Sequence, residues 1–143
     1  MKRKLEEVVR ARESTDDLVL LLRGGPDTKE KILRHADRLE DLFTYQDGLA
    51  RGISLFAAQG DLDAWSLLGS QLQSYQKYFR IPASAVTGRF VLLPTFANPH
   101  WTLLLRTPDG SEVPENELID ELGAIMGEAL DNPRWAKTQR RRR

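Results

Sequence analysis

Cysteine is absent from the 143 residues of this chain. Disulfide bonds, thiolate metal sites and a cysteine nucleophile are therefore excluded, and the lack of thiols fits a reducing cytoplasm. Long apolar runs are also missing, since the longest, Leu18 to Leu22, is far shorter than the roughly 20 residues of a membrane helix. The basic start of the chain is followed by acidic residues, where an export signal has an apolar core. The sequence therefore predicts a cytoplasmic protein that does not engage a membrane.

Histidine is nearly absent, because the chain has only His35 and His100. A metal hydrolase needs several ligands at fixed spacing, and no His-Glu-x-x-His motif is present. Asp61 and Asp63 lie at a predicted helix start, where capping explains them. The segment Arg23-Gly-Gly-Pro-Asp-Thr-Lys29 lacks the Gly-Lys-Ser/Thr core of a nucleotide-binding loop. No metal site and no definite cofactor are predicted.

Charge is unevenly placed, although the formal net charge is zero. Residues 134–143 contain six basic residues and no acidic one, which leaves residues 1–133 with 15 basic against 21 acidic side chains, a net charge of −6. The basic tail, with Arg140, Arg141, Arg142 and Arg143, is a candidate contact for nucleic acid or an acidic partner. The alternative is a disordered solubilising end, or one that folds back on the acidic body.

Hydrophobic periodicity predicts four helices and four strands. The apolar run at 18–23 is predicted as a strand, rather than as a second helix started by Asp16 and Asp17. The run at 52–58 is also predicted as a strand, because a helix continued across Gly48 and Gly52 would be destabilised by both glycines. The third helix is expected to pack its Trp, Leu, Tyr and Phe stripe on the sheet. The predicted helices cover residues 2–13, 28–43, 61–79 and 114–130, and the predicted strands cover residues 18–23, 52–58, 90–93 and 101–105.

These elements predict an α+β fold with one small mixed β-sheet and helices packed against it. No internal repeat is present. We divide the chain into an N-terminal helical extension (1–13), a single α+β domain (14–133) and a disordered basic tail (134–143). In the last helix, Gly123 and Gly127 are expected to permit close approach of another element.

Two places carry polar residues suited to chemistry. Gly24 and Gly25 follow Arg23 at a strand end, where main-chain N–H groups and the guanidinium could hold a phosphate; a simple tight turn is the alternative. His100 stands where a loop enters a strand, and a histidine there could act as a general acid or base, or serve only as a hydrogen-bonded structural residue. His35 lies on a charged helix, where an exposed or edge position explains it.

Three motifs, Leu20-Leu-Leu-Arg23-Gly-Gly25, Gly52-Ile-Ser54-Leu-Phe-Ala57 and Leu92-Leu-Pro-Thr-Phe96-x-x-Pro99-His100-Trp-Thr102, together resemble a family of uncharacterised bacterial proteins over residues 18–106. Their order is similar to the ADP-ribosyltransferase-like toxin fold. That resemblance implies that Arg23 holds the phosphates or ribose of NAD and that Ser54 lines the nicotinamide pocket. It also implies that a late glutamate, in the segment Glu115-Asn-Glu117, polarises the ribose hydroxyl. Ser54 stands in Gly-Ile-Ser, where that family has Ser-Thr-Ser.

The sequence therefore predicts a small bacterial toxin- or effector-like enzyme that acts on NAD or RNA. The alternative is a non-catalytic binding or regulatory module that contacts a protein, such as an antitoxin or an assembly partner, or contacts nucleic acid through its tail. The predicted catalytic residues are Arg23, Ser54 and His100, and the predicted substrate-binding residues are Gly24, Gly25, Thr95, Trp101 and Thr102.

Overall fold

The computed structural model describes residues 1–11, 13–25 and 28–135. Four α-helices and nine strands are interspersed along this part of the chain, and they form the single small α+β domain that the sequence predicts. The strands are β1 Arg3–Lys4, β2 Leu20–Gly24, β3 Phe43–Tyr45, β4 Gly48–Leu49, β5 Gly52–Ala58, β6 Lys77–Pro82, β7 Val91–Pro94, β8 His100–Leu104 and β9 Leu130–Asp131. The α-helices are α1 Lys29–Leu42, α2 Asp61–Leu68, α3 Ala83–Val86 and α4 Glu115–Met126, with 3₁₀ turns at Leu5–Val8 and Thr15–Asp17.

Six strands form the main sheet, in the order β7-β8-β5-β2-β6-β9. The strand pairs described in this sheet are antiparallel. A smaller sheet has the order β1-β3-β4, with β1 parallel to β3 and β3 antiparallel to β4. The central strands β2 and β5 are the two apolar runs that the sequence predicts as strands.

Side chains of the main sheet alternate between two buried faces, because successive residues of a strand point to opposite sides. One face packs under α1 and α4. Its core includes Leu21, Ile32, Ile53, Leu55, Phe79, Ile81, Trp101, Leu103, Ile119 and Leu122. The other face is covered by α2 at one end, with Leu20, Leu22, Leu67, Leu68 and Leu72, and by the N-terminal segment at the other, with Leu5, Phe43, Ala50 and Leu104.

The main sheet forks between its two central strands. β2 and β5 are paired over three residues only, from Leu20 opposite Ala58 to Leu22 opposite Phe56. Beyond that point β2 stays paired with β6 as far as Gly24, while β5 stays paired with β8 as far as Gly52. The fork leaves an opening in the sheet, and the candidate site lies there.

The first long helix agrees with the sequence, and the last helix begins where predicted but ends at Met126 rather than near residue 130, because Leu130–Asp131 pairs with β6 as strand β9. Thr28 precedes α1, and its Oγ1 accepts a hydrogen bond from the Lys31 main-chain N–H at 3.2 Å. Pro114 precedes α4, whose first turn contains Glu115 and Glu117. A side-chain cap for α1 and acidic residues near the start of α4 are stabilising at helix N-termini.

The predicted helix over residues 2–13 is wrong. A two-residue strand and one 3₁₀ turn take its place, and Leu5 is fully buried. The Val9 main chain bridges to Thr95, and the Arg10 N–H donates to the Pro94 carbonyl. These long-range contacts override the helical periodicity of the segment.

The predicted third helix is too long. α2 ends at Leu68, and the residues before β6 form turns. The buried Asn132 side-chain amide donates hydrogen bonds to the carbonyls of Leu68, Leu72 and Tyr75, which satisfies main-chain groups that a continued helix would use internally. Trp65 and Tyr75 are exposed rather than packed on the sheet.

The last helix does not use its two glycines for close packing. A Cβ built on Gly123 or on Gly127 meets no described atom within 4 Å, so the expected close approach is wrong. Gly127 instead has φ +69° just past the end of α4. With ψ −146°, this is a positive-φ conformation that glycine adopts readily and residues with a side chain rarely do.

The start of the basic tail is anchored. The Arg134 guanidinium lies over the Trp65 ring, 5.1 Å from its centroid, and Nη1 donates to the Trp65 carbonyl at 3.1 Å. Residues 136–143, with Arg140, Arg141, Arg142 and Arg143, lie outside the described residues. None of the described helices has both the length and the apolar character needed to cross a membrane.

Candidate functional site

A cavity of about 350 Å³ opens at the fork of the main sheet. It brings together Arg23, Ser54 and His100, which come from β2, β5 and β8. Aromatic and basic side chains form much of the remaining wall. The described lining residues are Arg23, Gly24, His35, Arg38, Leu39, Leu42, Phe43, Gly52, Ile53, Ser54, Phe56, Gln71, Tyr75, Phe96, His100 and Thr102.

The fork explains how side chains from opposite faces reach one cavity. Arg23 lies on the α1 face, because it follows Leu22, which shares the other face with Phe56. Ser54 and His100 lie on that other face, since Ser54 is two residues from Phe56 and Phe56 is directly opposite His100. In a continuous sheet the two groups would be separated by the backbone. Because β2 and β5 separate beyond Leu22, Arg23 and the pair Ser54 and His100 line the same cavity.

Arg23 is 2% exposed, and its guanidinium contacts a histidine of α1. Nη2 lies 3.0 Å from Nδ1 of His35. Arginine has no acceptor, so Nδ1 of His35 accepts this hydrogen bond and the ring proton is on Nε2. Burial lowers the pKa of His35, and the positive charge of Arg23 lowers it further. His35 is therefore neutral near pH 7.

Arg38 adds a second guanidinium to the same wall. It lies three residues after His35 on α1, so both side chains are on one helix face. Arg38 is exposed and lines the cavity, and none of the described ion pairs involves it. The described lining residues include no Asp or Glu. This end of the cavity therefore favours an anionic group.

His100 is held by two threonines behind it. Its Nδ1 lies 2.9 Å from Oγ1 of Thr95, which lies 2.7 Å from Oγ1 of Thr102. Both threonines are buried. Burial is the largest influence on the His100 pKa and lowers it, the Arg10 charge also lowers it, and a hydrogen bond to the Thr95 main chain opposes them. The net direction is down, so the ring is neutral near pH 7 and suited to accept a proton.

Two phenylalanines flank the His100 ring edge-on. Its centroid lies 5.4 Å from that of Phe56 and 5.2 Å from that of Phe96, and Phe96 also meets Phe43 at 5.6 Å. Phe96 is 41% exposed and has φ 58°. A bulky residue in the left-handed region is a strained conformation that persists where the surroundings impose it.

The N-terminal segment imposes that conformation. The Val8 carbonyl accepts a hydrogen bond from the Phe96 N–H at 2.8 Å. Nη1 of Arg10 donates to the Thr95 carbonyl at 2.7 Å and to the Phe96 carbonyl at 3.1 Å. The loop that carries Phe96 and leads to His100 is therefore fixed from outside the cavity.

Two positions of the cavity wall, Gly24 and Gly52, have no room for a side chain. A Cβ on Gly24 would overlap the Tyr75 ring, and a Cβ on Gly52 would overlap the Leu103 carbonyl. Gly25 has φ +96° and its N–H donates to the Lys77 carbonyl at 2.8 Å. Of the two predicted substrate-binding glycines, Gly24 lines the cavity and Gly25 shapes the turn behind it.

Trp101, which the sequence predicts to bind substrate, is not among the described residues that line this cavity. Trp101 follows His100 directly, so its side chain points to the opposite face of β8. It is 3% exposed and packs in the core under α1 and α4. Thr102, two residues after His100, does line the cavity, whereas Thr95 supports His100 from behind.

The glutamates that the resemblance implies do not reach the cavity. Glu115 pairs with Arg51, with Oε1 accepting from Nη2 at 2.9 Å. Glu117 lines a separate surface groove beside Arg89 and Glu121. The residues that sequence reasoning missed are on α1, where His35 and Arg38 follow the buried Ile32 by three and six residues. That helical spacing was the available signal.

No protein-family model, curated protein or solved structure matches this chain significantly. Within the described ranges, no group of three or more His, Cys, Asp or Glu side chains is placed to hold a metal ion.

Proposed function

We propose that this protein is a small toxin- or effector-like enzyme that acts on a nucleotide substrate, NAD or RNA, in the cavity at the fork. One observation carries the proposal: Arg23, Ser54 and His100, from three strands, line the same cavity. A concave site with a few convergent polar groups among apolar ones is typical of enzymes.

The side chains supply three kinds of chemistry. The guanidinium of Arg38, with that of Arg23 behind it, neutralises phosphate charge. The neutral His100 ring accepts a proton from a substrate hydroxyl, and its partner Thr95 fixes the ring orientation. Ser54 lies directly opposite Thr102 on the neighbouring strand. Its exposed hydroxyl can donate a hydrogen bond to the substrate or accept one from it. In NAD cleavage these groups bind phosphate and orient ribose while the bond from ribose to nicotinamide breaks and water replaces nicotinamide. In RNA cleavage His100 takes the proton of the 2′-hydroxyl that attacks phosphorus, the P–O5′ bond breaks, and the leaving oxygen takes a proton from water. The arginines stabilise the phosphoryl oxygens during this step.

The experiment compares turnover of NAD and of structured RNA by the wild type and by His100→Gln. Arg34→Gln is the matched control for a second variant, Arg38→Gln, because Arg34 is exposed on the same helix and does not line the cavity. We expect His100→Gln to lower turnover by about 10²-fold or more, Arg38→Gln to weaken substrate binding, and Arg34→Gln to match the wild type. Circular dichroism checks that each variant is folded. The enzyme proposal fails if neither substrate is consumed.

The second candidate is a binding or regulatory module without catalysis. Two observations favour it. The hydrogen bonds that join Thr95 to His100 and to Thr102 are also explained by a purely structural role for His100. The described cavity lining also contains no carboxylate that could act as a second catalytic group. Such a module would engage a protein partner, an antitoxin or an assembly, or nucleic acid through its basic tail.

Removing residues 136–143 tests the tail. If it contacts nucleic acid, truncation lowers affinity for RNA and flattens the dependence of affinity on salt, because each lost phosphate contact lowers the slope. Unchanged affinity and slope would exclude the tail from nucleic-acid binding.

A further inference from the structure

The cavity at the fork has two chemically different ends. At one end α1 and β2 present Arg38, His35 and Arg23, and Tyr75 closes the wall above Gly24. At the other end Phe56 and Phe96 flank His100, Phe43 meets Phe96, and Phe96 is partly exposed. The first end suits an anion, and the second suits a flat ring.

Helix α1 spans the distance between these ends. His35 and Arg38 are in its middle, and the helix continues along the cavity through Leu39 and Leu42 to Phe43. The separation of seven positions between His35 and Leu42 corresponds to about 10 Å at 1.5 Å per residue. A ligand that reaches both ends therefore needs a charged group and a ring joined by a short polar linker.

The polar groups between the ends match such a linker. Ser54 and Thr102 are direct cross-strand neighbours and both line the cavity. The exposed Ser54 hydroxyl can meet a sugar, whereas the buried Thr102 hydroxyl is bonded to Thr95. The volume of about 350 Å³ is at the small end of the roughly 300–1,000 Å³ usual for ligand pockets. This size favours one nucleotide over a complete dinucleotide.

We infer that the cavity binds a single nucleotide unit, with its phosphate at Arg38 and its base against Phe96. The inference rests on the proposed function and narrows it to substrates that present one nucleotide. The unit is a free nucleoside monophosphate or the end of an RNA chain, and both share this chemistry. NAD then enters through one of its halves only.

Fragment binding to the full chain by isothermal titration calorimetry tests the assignment. The probes are AMP, adenosine, ribose 5-phosphate and inorganic phosphate, each with the wild type, Arg38→Gln, Phe96→Leu and the control Arg34→Gln. We expect Arg38→Gln to weaken AMP and ribose 5-phosphate by about tenfold or more, through loss of a charge-assisted contact, and to leave adenosine unchanged. Phe96→Leu has the reverse pattern, weakening AMP and adenosine only.

Two further probes separate the sources of the nucleotide. A short 5′-phosphorylated single-stranded RNA that competes with AMP identifies an RNA end as a source, whereas competition by free AMP analogues alone identifies the monophosphate. Binding of AMP no tighter than that of inorganic phosphate overturns the inference, as does an equal effect of both variants on both fragments.

Failure of this inference and failure of the enzyme proposal are distinguishable. If the fragments follow the expected pattern and neither NAD nor RNA is consumed, the nucleotide assignment holds and catalysis is rejected. If a substrate is consumed and AMP neither binds nor inhibits, the proposed activity holds and the single-nucleotide assignment is rejected.

Discussion

Nη1 of Arg10 donates a hydrogen bond to the main-chain carbonyl of His100 at 2.8 Å. The same nitrogen contacts the carbonyls of Thr95 and Phe96, and the guanidinium also pairs with Glu13. A single side chain near the N-terminus therefore gathers three carbonyls of the loop that ends in the candidate catalytic histidine. This loop is held by a segment that is remote in sequence, and both stability and site geometry depend on it.

Arg10→Ala should lower the free energy of unfolding by about 1–3 kcal/mol. The substitution removes a charged donor and leaves part-buried carbonyls without their hydrogen-bond partner. Urea denaturation measures the change. Arg89→Ala is the control, since Arg89 forms an exposed pair with Glu121 and such pairs contribute about 0–1 kcal/mol. Equal effects of the two substitutions would contradict a special role for Arg10.

Acidification should destabilise the protein between about pH 7 and pH 5. The pKa values of His35 and His100 are lowered in the folded chain, mainly by burial, from about 6.5 in the unfolded chain. The unfolded state then binds more protons as the pH falls through 6.5, so the free energy of unfolding falls with it. Carboxylates with lowered pKa values, such as Glu6 and Asp109, act at lower pH.

Urea unfolding at pH 7.5 and pH 5 measures this dependence, and His100→Gln isolates one histidine. The variant should lose part of the difference between the two pH values. If the free energy of unfolding of the wild type were the same at pH 7.5 and pH 5, the two histidines would be protonated as easily in the folded state as in the unfolded state, and the prediction would be wrong.

Gly52→Ala should be strongly destabilising, because its Cβ would overlap the Leu103 main chain. We expect a loss of about 1–3 kcal/mol or more, as for overpacked cores. Gly123→Ala is the matched control inside a helix with open space around the new Cβ, and it should stabilise by about 0.5–1 kcal/mol. Thermal unfolding measures both. Similar shifts at the two positions would be inconsistent with the packing described at β5.

Arg51→Lys should destabilise the fold without changing ligand binding. Arg51 joins α1 to α4, pairing with Glu40, Asp37 and Glu115, and these partners, Glu115 first, raise its pKa against the opposing effect of burial. Lysine cannot reproduce the bidentate contact with Glu115, so we expect a loss of about 1–2 kcal/mol. Because Arg51 does not line the described cavity, nucleotide affinity of the folded variant should equal that of the wild type.

The elements that sequence alone could predict are those with a strong local pattern. β2 and β5 are apolar runs bounded by glycine, and α1 and α4 have long apolar stripes with recognisable starts. β6 was missed because the spacing from Leu72 through Tyr75 to Phe79 fits a helical stripe. Its strand conformation comes from pairing with β2, where Phe79 is opposite Arg23, and tertiary pairing of this kind is not visible in a local window.

The candidate site was predictable in part for the same reason. Arg23, Ser54 and His100 fall on strands that one sheet brings together, so their convergence could be anticipated. The spacing of His35 and Arg38 places them on one helix face, but that this face meets the fork is set by the packing of α1 on the sheet. Trp101 shows how a shift of one residue reverses a side chain from cavity to core.

The short ladder between β2 and β5 is the hydrogen-bonded connection between the two halves of the main sheet. Three residue pairs, beginning at Leu20 and ending at Leu22, join β5-β8-β7 to β2-β6-β9. A ligand that bridges α1 and β8 would clamp the two halves together, and the amide protons of Leu20 to Leu22 would then exchange more slowly with solvent, although the ligand does not touch them.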